Sequence, residues 1–192
     1  VLTDVSINGN TSAQNGGGWA SHRVTADFSD CSFSDNVSNA STGQFGGGAM
    51  WLVASSPTIE NVVFSGNLTT SNGGAIYLLN DGELGSNPII SNSMFNNNSS
   101  AHFGGGVFSG SGCLPIIRGS KFKGNEALVD GGAIACDQYG NVTLESTIIT
   151  DNYSASYTGG VSANSTMLNI TNCTITNNTG SGSAAGGLEV YN

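Results

Sequence analysis

The stretch Val63–Leu78 reads VFSGNLTTSNGGAIYL, and its plan recurs as KFKGNEALVDGGAIAC at Lys121–Cys136 and MFNNNSSAHFGGGVFS at Met94–Ser109. Each copy sets an apolar anchor, two residues, an Asn, and then a Gly-Gly corner. The anchors along the chain are Ile7, Phe33, Phe64, Phe95, Phe122, Ile149 and Ile175. Behind them stand Asn10, Asn36, Asn67, Asn98, Asn125, Asn152 and Asn178, at spacings of 26, 31, 31, 27, 27 and 26 residues, a mean of 28. Gly pairs ending at Gly18, Gly48, Gly74, Gly106, Gly132, Gly160 and Gly187 alternate with the anchors without a gap. A period of this length marks a solenoid, in which each repeat is one coil stacked on the next.

The columns of the repeat carry the local physics. Two residues after the anchor stand Gly9, Asp35, Gly66, Asn97, Gly124, Asp151 and Asn177. These residue types tolerate positive φ, so a left-handed turn is predicted there. Three residues before the anchor stand Asp4, Asp30, Asn61, Asn92, Gly119, Ser146 and Asn172, a second set of turn formers. The Gly pairs make a third bend. Between bends lie short β-branched segments such as Ser146–Ile149 and Cys173–Ile175, which favour strands, and no window holds a helical 3.6-residue pattern. The predicted fold is all-β: one parallel β-helix over residues 1–192, about seven coils of ~28 residues with three strands each. Coils stacked about 4.8 Å apart would pile the anchors into an interior column and the Asn amides into a hydrogen-bonded ladder. The small column Val5, Cys31, Val62, Ser93, Ser120, Thr147 and Cys173 faces the same way and leaves the anchors room.

Charged residues are only 9% of the chain, against roughly 25% in typical domains. The net charge is −9, and Arg23, Arg118, Lys121 and Lys123 are the whole basic complement. A nucleic-acid partner needs a basic face, so that class is set aside. No apolar run approaches the roughly 20 residues of a membrane-spanning helix. The chain lacks an initiator Met and a signal peptide, closes almost seven coils and carries no recognisable cap. Two readings follow: a portion of a longer solenoid, or copies stacked end to end into a fibre.

The pairing of F-x-x-N with G-G-A-[ILV] resembles the repeats of chlamydial polymorphic outer-membrane proteins and related autotransporter passengers. Phe64–Asn67 with Gly73–Ile76 and Phe122–Asn125 with Gly131–Ile134 match in full. Phe33–Asn36 with Gly47–Met50 is nearly complete, while in other copies Trp19, Val107, Val161 and Leu188 stand in place of the Ala. The resemblance implies a right-handed parallel β-helix displayed outside the cell or on its surface, with an adhesive or structural role and glycans or a host surface as partners.

Other β-helices act on polysaccharide, which requires clustered carboxylates. Asp27, Asp30 and Asp35 are close enough in sequence to ring one coil, but Asp is first a turn former. Arg118 and Glu145 share a column on neighbouring coils and read as a cross-strand ion pair. The N-T-D, D-D, G-H-G and R-I-K motifs of polygalacturonases and the G-G-x-G-x-D calcium repeat are absent, so no catalytic, metal or cofactor residue is assigned. His22 and His102 have no acid partner by spacing and read as solvated loop residues. Trp51 and Tyr77 each follow a Gly pair by three residues, and serve either as packing under a loop or as an outer platform for sugar. Cys31 and Cys173 lie five coils apart, beyond disulfide reach, and read as interior thiols; Cys113 and Cys136 lie on adjacent coils, within reach of a bridge. Sequons at Asn141, Asn164 and Asn169 stand outside the ladder and are the better glycan acceptors. The leading reading is a non-enzymatic extracellular rod, a surface filament or adhesin stalk. The other is a pectin-lyase-like β-helix that binds or degrades polysaccharide.

Overall fold

The anchors do stand on one another. A computed structural model describes residues 1–41, 45–137, 139–164 and 167–191. Its strands pair in parallel, Ile7 with Phe33, then Phe64, Phe95, Phe122, Ile149 and Ile175 in unbroken register. The four central rings stack face to face. Centroids are 5.4 Å apart for Phe33–Phe64, 4.7 Å for Phe64–Phe95 and 4.3 Å for Phe95–Phe122, with interplanar angles of 17°, 14° and 2°. All four are fully buried, each contributing about 1.5–3 kcal/mol by burial. Ile7 and Ile175, on the end coils, are half-buried.

Each coil but the last has four strands, where the sequence pattern predicts three. The strands form sheets of seven, seven, six and seven. The unforeseen set is two residues long: Thr11–Ser12, Val37–Ser38, Leu68–Thr69, Ser99–Ser100, Glu126–Ala127 and Tyr153–Ser154. Two polar residues carry no readable alternation. They become strands because the ladder Asn before them fixes where the chain leaves the bend.

Both predicted turn columns have positive φ throughout, from Gly9 (66°) to Asn177 (54°) after the anchor and from Asp4 (57°) to Asn172 (54°) before it. Ser146 adopts φ 48° without the usual residue type. The Gly corner needs a correction of register. Trp19, Val107, Val161 and Leu188 pair with Met50, Ile76 and Ile134, so they occupy the apolar column after the Ala. The Ala column itself is therefore Gly18, Ala49, Ala75, Gly106, Ala133, Gly160 and Gly187, always Gly or Ala. Before it, backbones nearly touch: a Cβ on Gly74 would lie 2.0 Å from the Gly105 carbonyl oxygen. No side chain fits there, which is why this column keeps Gly.

The Asn column is a buried ladder. Asn67 Nδ2 donates to Asn98 Oδ1 at 2.9 Å, Asn98 to Asn125 at 2.9 Å, and Asn125 to Asn152 at 2.9 Å. Each Oδ1 also accepts the backbone N–H of the preceding rung, as Asn98 does from Asn67 at 3.1 Å. Each Nδ2 also donates to the anchor carbonyl one coil back, as Asn98 does to Phe64 at 3.1 Å. One side chain thus satisfies the bend of two successive coils. The ladder runs from Asn10 through Asn36 to Asn178.

Candidate cleft on the outer face of the fourth sheet

The fourth sheet contains Met50–Val53, Ile76–Leu79, Val107–Ser109, Ile134–Cys136 and Val161–Asn164. Strand alternation turns Met50 and Leu52 into the core, so Trp51 and its register partners point outward. That outward column reads Ala20, Trp51, Tyr77, Phe108, Ala135, Ser162, Glu189. It is large in the middle coils and drops to small residues at Ala135 and Ser162. Tyr77 and Phe108 pack with ring centroids 5.2 Å apart, and Phe103 lies 6.1 Å from Phe108. This is a second, outer apolar cluster. Tyr77 and Phe108 are only 3% and 6% exposed, so of the two roles weighed for the aromatic pair, packing holds for Tyr77. Burial pushes the Tyr77 phenol up to about 12.

Where the column drops, a cleft of about 330 Å³ opens. Ala135 and Ser162 form its floor, Phe108 and Tyr191 its ends, and Asp130, Asp137 and Asn164 its flanks. Asp130 is 2% exposed, and four donors hold it. Its Oδ1 accepts the N–H groups of Gly131 and Thr158 at 2.8 Å each; its Oδ2 accepts the hydroxyls of Ser162 and, at 3.2 Å, Tyr191. Thr158 Oγ1 donates in turn to Glu189. A wider hollow of about 500 Å³, sharing Leu79 with the cleft, lies between Trp51, Phe45 and the 80–86 loop. Arg23 ties that loop down by donating to Asp81 and, at 2.7 Å, to Glu83. Asp81 is held well below the usual carboxylate range, chiefly by the N–H groups of Leu84 and Glu83 and further by Arg23.

The structure scatters or reassigns several residues picked from sequence. Asp27 accepts the Thr58 N–H of the next coil at 2.9 Å, while Asp30, which accepts from the Asn61 amide at 3.2 Å, and Asp35 sit in bends at φ 54° and 55°. Arg118 and Glu145 pair in register, yet among the described residues no ion pair joins them. His22 does have an acid neighbour: its Nε2 is 3.6 Å from Asp81, brought over by a loop that spacing did not reveal. Cys113 and Cys136 are both free thiols, as are Cys31 and Cys173. Cys136 stands in register with Ser109 and points into the core, whereas Cys113 lies four residues beyond Ser109 and accepts the Ser86 N–H at 3.4 Å. Burial pushes Cys113 up to about 11 and Cys136 up to about 12.

Of the three sequons, Asn169 is exposed, Asn141 is half-buried and accepts from the Asn169 amide at 3.4 Å, and Asn164 is half-buried at the cleft flank. Ser165 and Thr166 of the Asn164 sequon lie outside the described residues. The cleft residues Phe108, Asp130, Asp137, Ser162 and Tyr191 carry no motif. Their signal was the column three after the Gly pair, which leads to Phe108 and Ser162 only once Gly105 and Gly159 are put in register.

A family model described as the right-handed β-helix region matches residues 14–192. The chain belongs to the right-handed β-helix family. The match gives the coil its hand and covers nearly all of the repeat. Right-handed β-helix domains include pectate-lyase-like and adhesin-like members and are often found in secreted or surface proteins. Neither a curated protein nor a solved structure gives a significant match. Among the described residues no helix is long and apolar enough to cross a membrane.

Proposed function

We propose that this β-helix is a non-enzymatic rod, displayed outside the cell or on its surface, that binds saccharide in the cleft of its fourth sheet. The observation that carries the reading is the drop of the outward column from Phe108 to Ala135 and Ser162. It leaves a pit with aromatic ends and hydroxyl, amide and carboxylate flanks, the mixed lining that sugar rings need. The resemblance to surface-displayed chlamydial and autotransporter repeats supports the location. Asp130 argues for binding over catalysis, because both its oxygens are already engaged by four donors and neither is left for proton transfer. The strand edges of the two end coils, at Leu2–Thr3 and Met167–Thr171 in the first sheet, are where further coils of the same chain or a second copy would add.

A second reading, polysaccharide cleavage, draws on Asp130 and Asp137 flanking one cleft. The test is titration of an oligosaccharide panel into the protein, with release of reducing ends followed in parallel. Binding that disappears in Ala135→Leu, which fills the pit, supports the first reading. Turnover abolished by Asp137→Asn overturns it in favour of the second.

A further inference from the structure

The charge of the cleft narrows its ligand, given the saccharide reading above. Asp130 and Asp137 line it, and among the described residues no Lys, Arg or His does. Glu189 follows Ser162 in the outward column and is bridged to Asp130 through Thr158. The four basic residues are elsewhere: Arg23 is bound to Asp81 and Glu83, while Arg118, Lys121 and Lys123 lie on strands of the first and second sheets. A uronate or sulfated sugar would enter against like charge in a confined site, with no cation to receive it. An ammonium group would meet the Asp137 carboxylate on the flank, with the charge of the enclosed Asp130 behind it, and the Tyr191 and Phe108 rings at the ends, which also attract cations.

The cleft has a direction as well. Gly110, Asp137, Asn164 and Tyr191 line it from successive coils, so between its two ends it runs along the solenoid axis for about 14 Å at ordinary strand spacing. One pyranose unit is close to one coil in length.

We propose that the cleft selects a linear amino-sugar chain, about three units of it laid parallel to the solenoid axis, over its neutral and anionic counterparts. The probes are tetramers of glucosamine, N-acetylglucosamine and galacturonate, titrated calorimetrically at about pH 5.5, where ordinary carboxylates are ionised. Wild type is expected to prefer the glucosamine tetramer over the acetylated one by about tenfold at low salt, a preference that shrinks as salt rises. Galacturonate should give no heat. Asp137→Asn, at an exposed position, should cut the preference several-fold without changing the circular dichroism spectrum, and Ala135→Leu should abolish binding. Equal affinity for the two neutral and amino tetramers overturns the selectivity while leaving the saccharide site standing. Absence of binding by any tetramer overturns the site itself. Glucosamine binding untouched by both substitutions places the ligand elsewhere and overturns the proposal.

Discussion

Replacing Asn98 by Ala tests the ladder where it is fully enclosed. Asn98 Oδ1 accepts both the backbone N–H and the amide of Asn67, and its Nδ2 donates to Asn125 Oδ1 and to the Phe64 carbonyl. All of these groups are buried. Truncation leaves two Asn67 hydrogens without an acceptor and the Phe64 oxygen short of a donor. At about 1–3 kcal/mol for each orphaned donor, the expected loss is about 2–6 kcal/mol, a large part of a typical stability of 5–15 kcal/mol. Asn10 is the same residue in the same column, but it is exposed and stands on the first coil. Its truncation removes one side-chain donor to Asn36 that water replaces, while its backbone N–H still donates there, and the expected loss is under about 1 kcal/mol. Urea unfolding followed by circular dichroism measures both, provided the slope m is unchanged. Equal losses at the two positions would refute the argument, since they would show that the amide acts through local turn propensity and not through the buried network.

Three further outcomes are expected. Phe95→Ala removes the ring stacked at 4.7 and 4.3 Å between its neighbours and should cost about 3–5 kcal/mol, whereas Ile175→Ala on the half-buried end coil should cost clearly less in the same assay. Gly74→Ala forces a Cβ onto backbone and should lose about 3 kcal/mol or fail to fold. Gly9→Ala, with open space but φ 66°, should lose about 1–2 kcal/mol, and Gly9→Asn almost nothing by thermal melts. Stability should also fall as pH rises from about 9 to about 12. Cys113, Cys136 and Tyr77 ionise at ordinary values when unfolded but only near 11, 12 and 12 when folded, so alkali draws the chain toward the unfolded state. In a Cys113→Ser, Cys136→Ser double variant the onset in a melt-versus-pH series should move up toward 10, the ordinary range of Tyr77.

The repeat was legible because identical side chains had to stack. Phe64, Phe95 and Phe122 announce a column that elsewhere admits only Ile, and Asn67, Asn98 and Asn125 announce a ladder that keeps Asn at every level. Leu68–Thr69 and its equivalents were not legible: two residues hold no period, and their strand state follows from the bend before them. Runs of three glycines hid the register of the corner, because only the stacked backbones decide whether Gly105 or Gly106 is the one that cannot bear a side chain. The cleft escaped for a related reason. It is made by what is missing, the short side chains of Ala135 and Ser162 beneath Phe108, and its wall Tyr191 is contributed by a coil far along the chain. The partnership of His22 with Asp81 depends on a loop path that no column records.

Alternation along the fourth sheet separates two texts written on the same strands. Ile134 and Cys136 face the interior while Ala135 between them faces the cleft. A change of ligand therefore asks for substitutions only at every second residue, on two or three adjacent coils. Such a rod can acquire a new address on its flank while the pile of rings within it stays as it was.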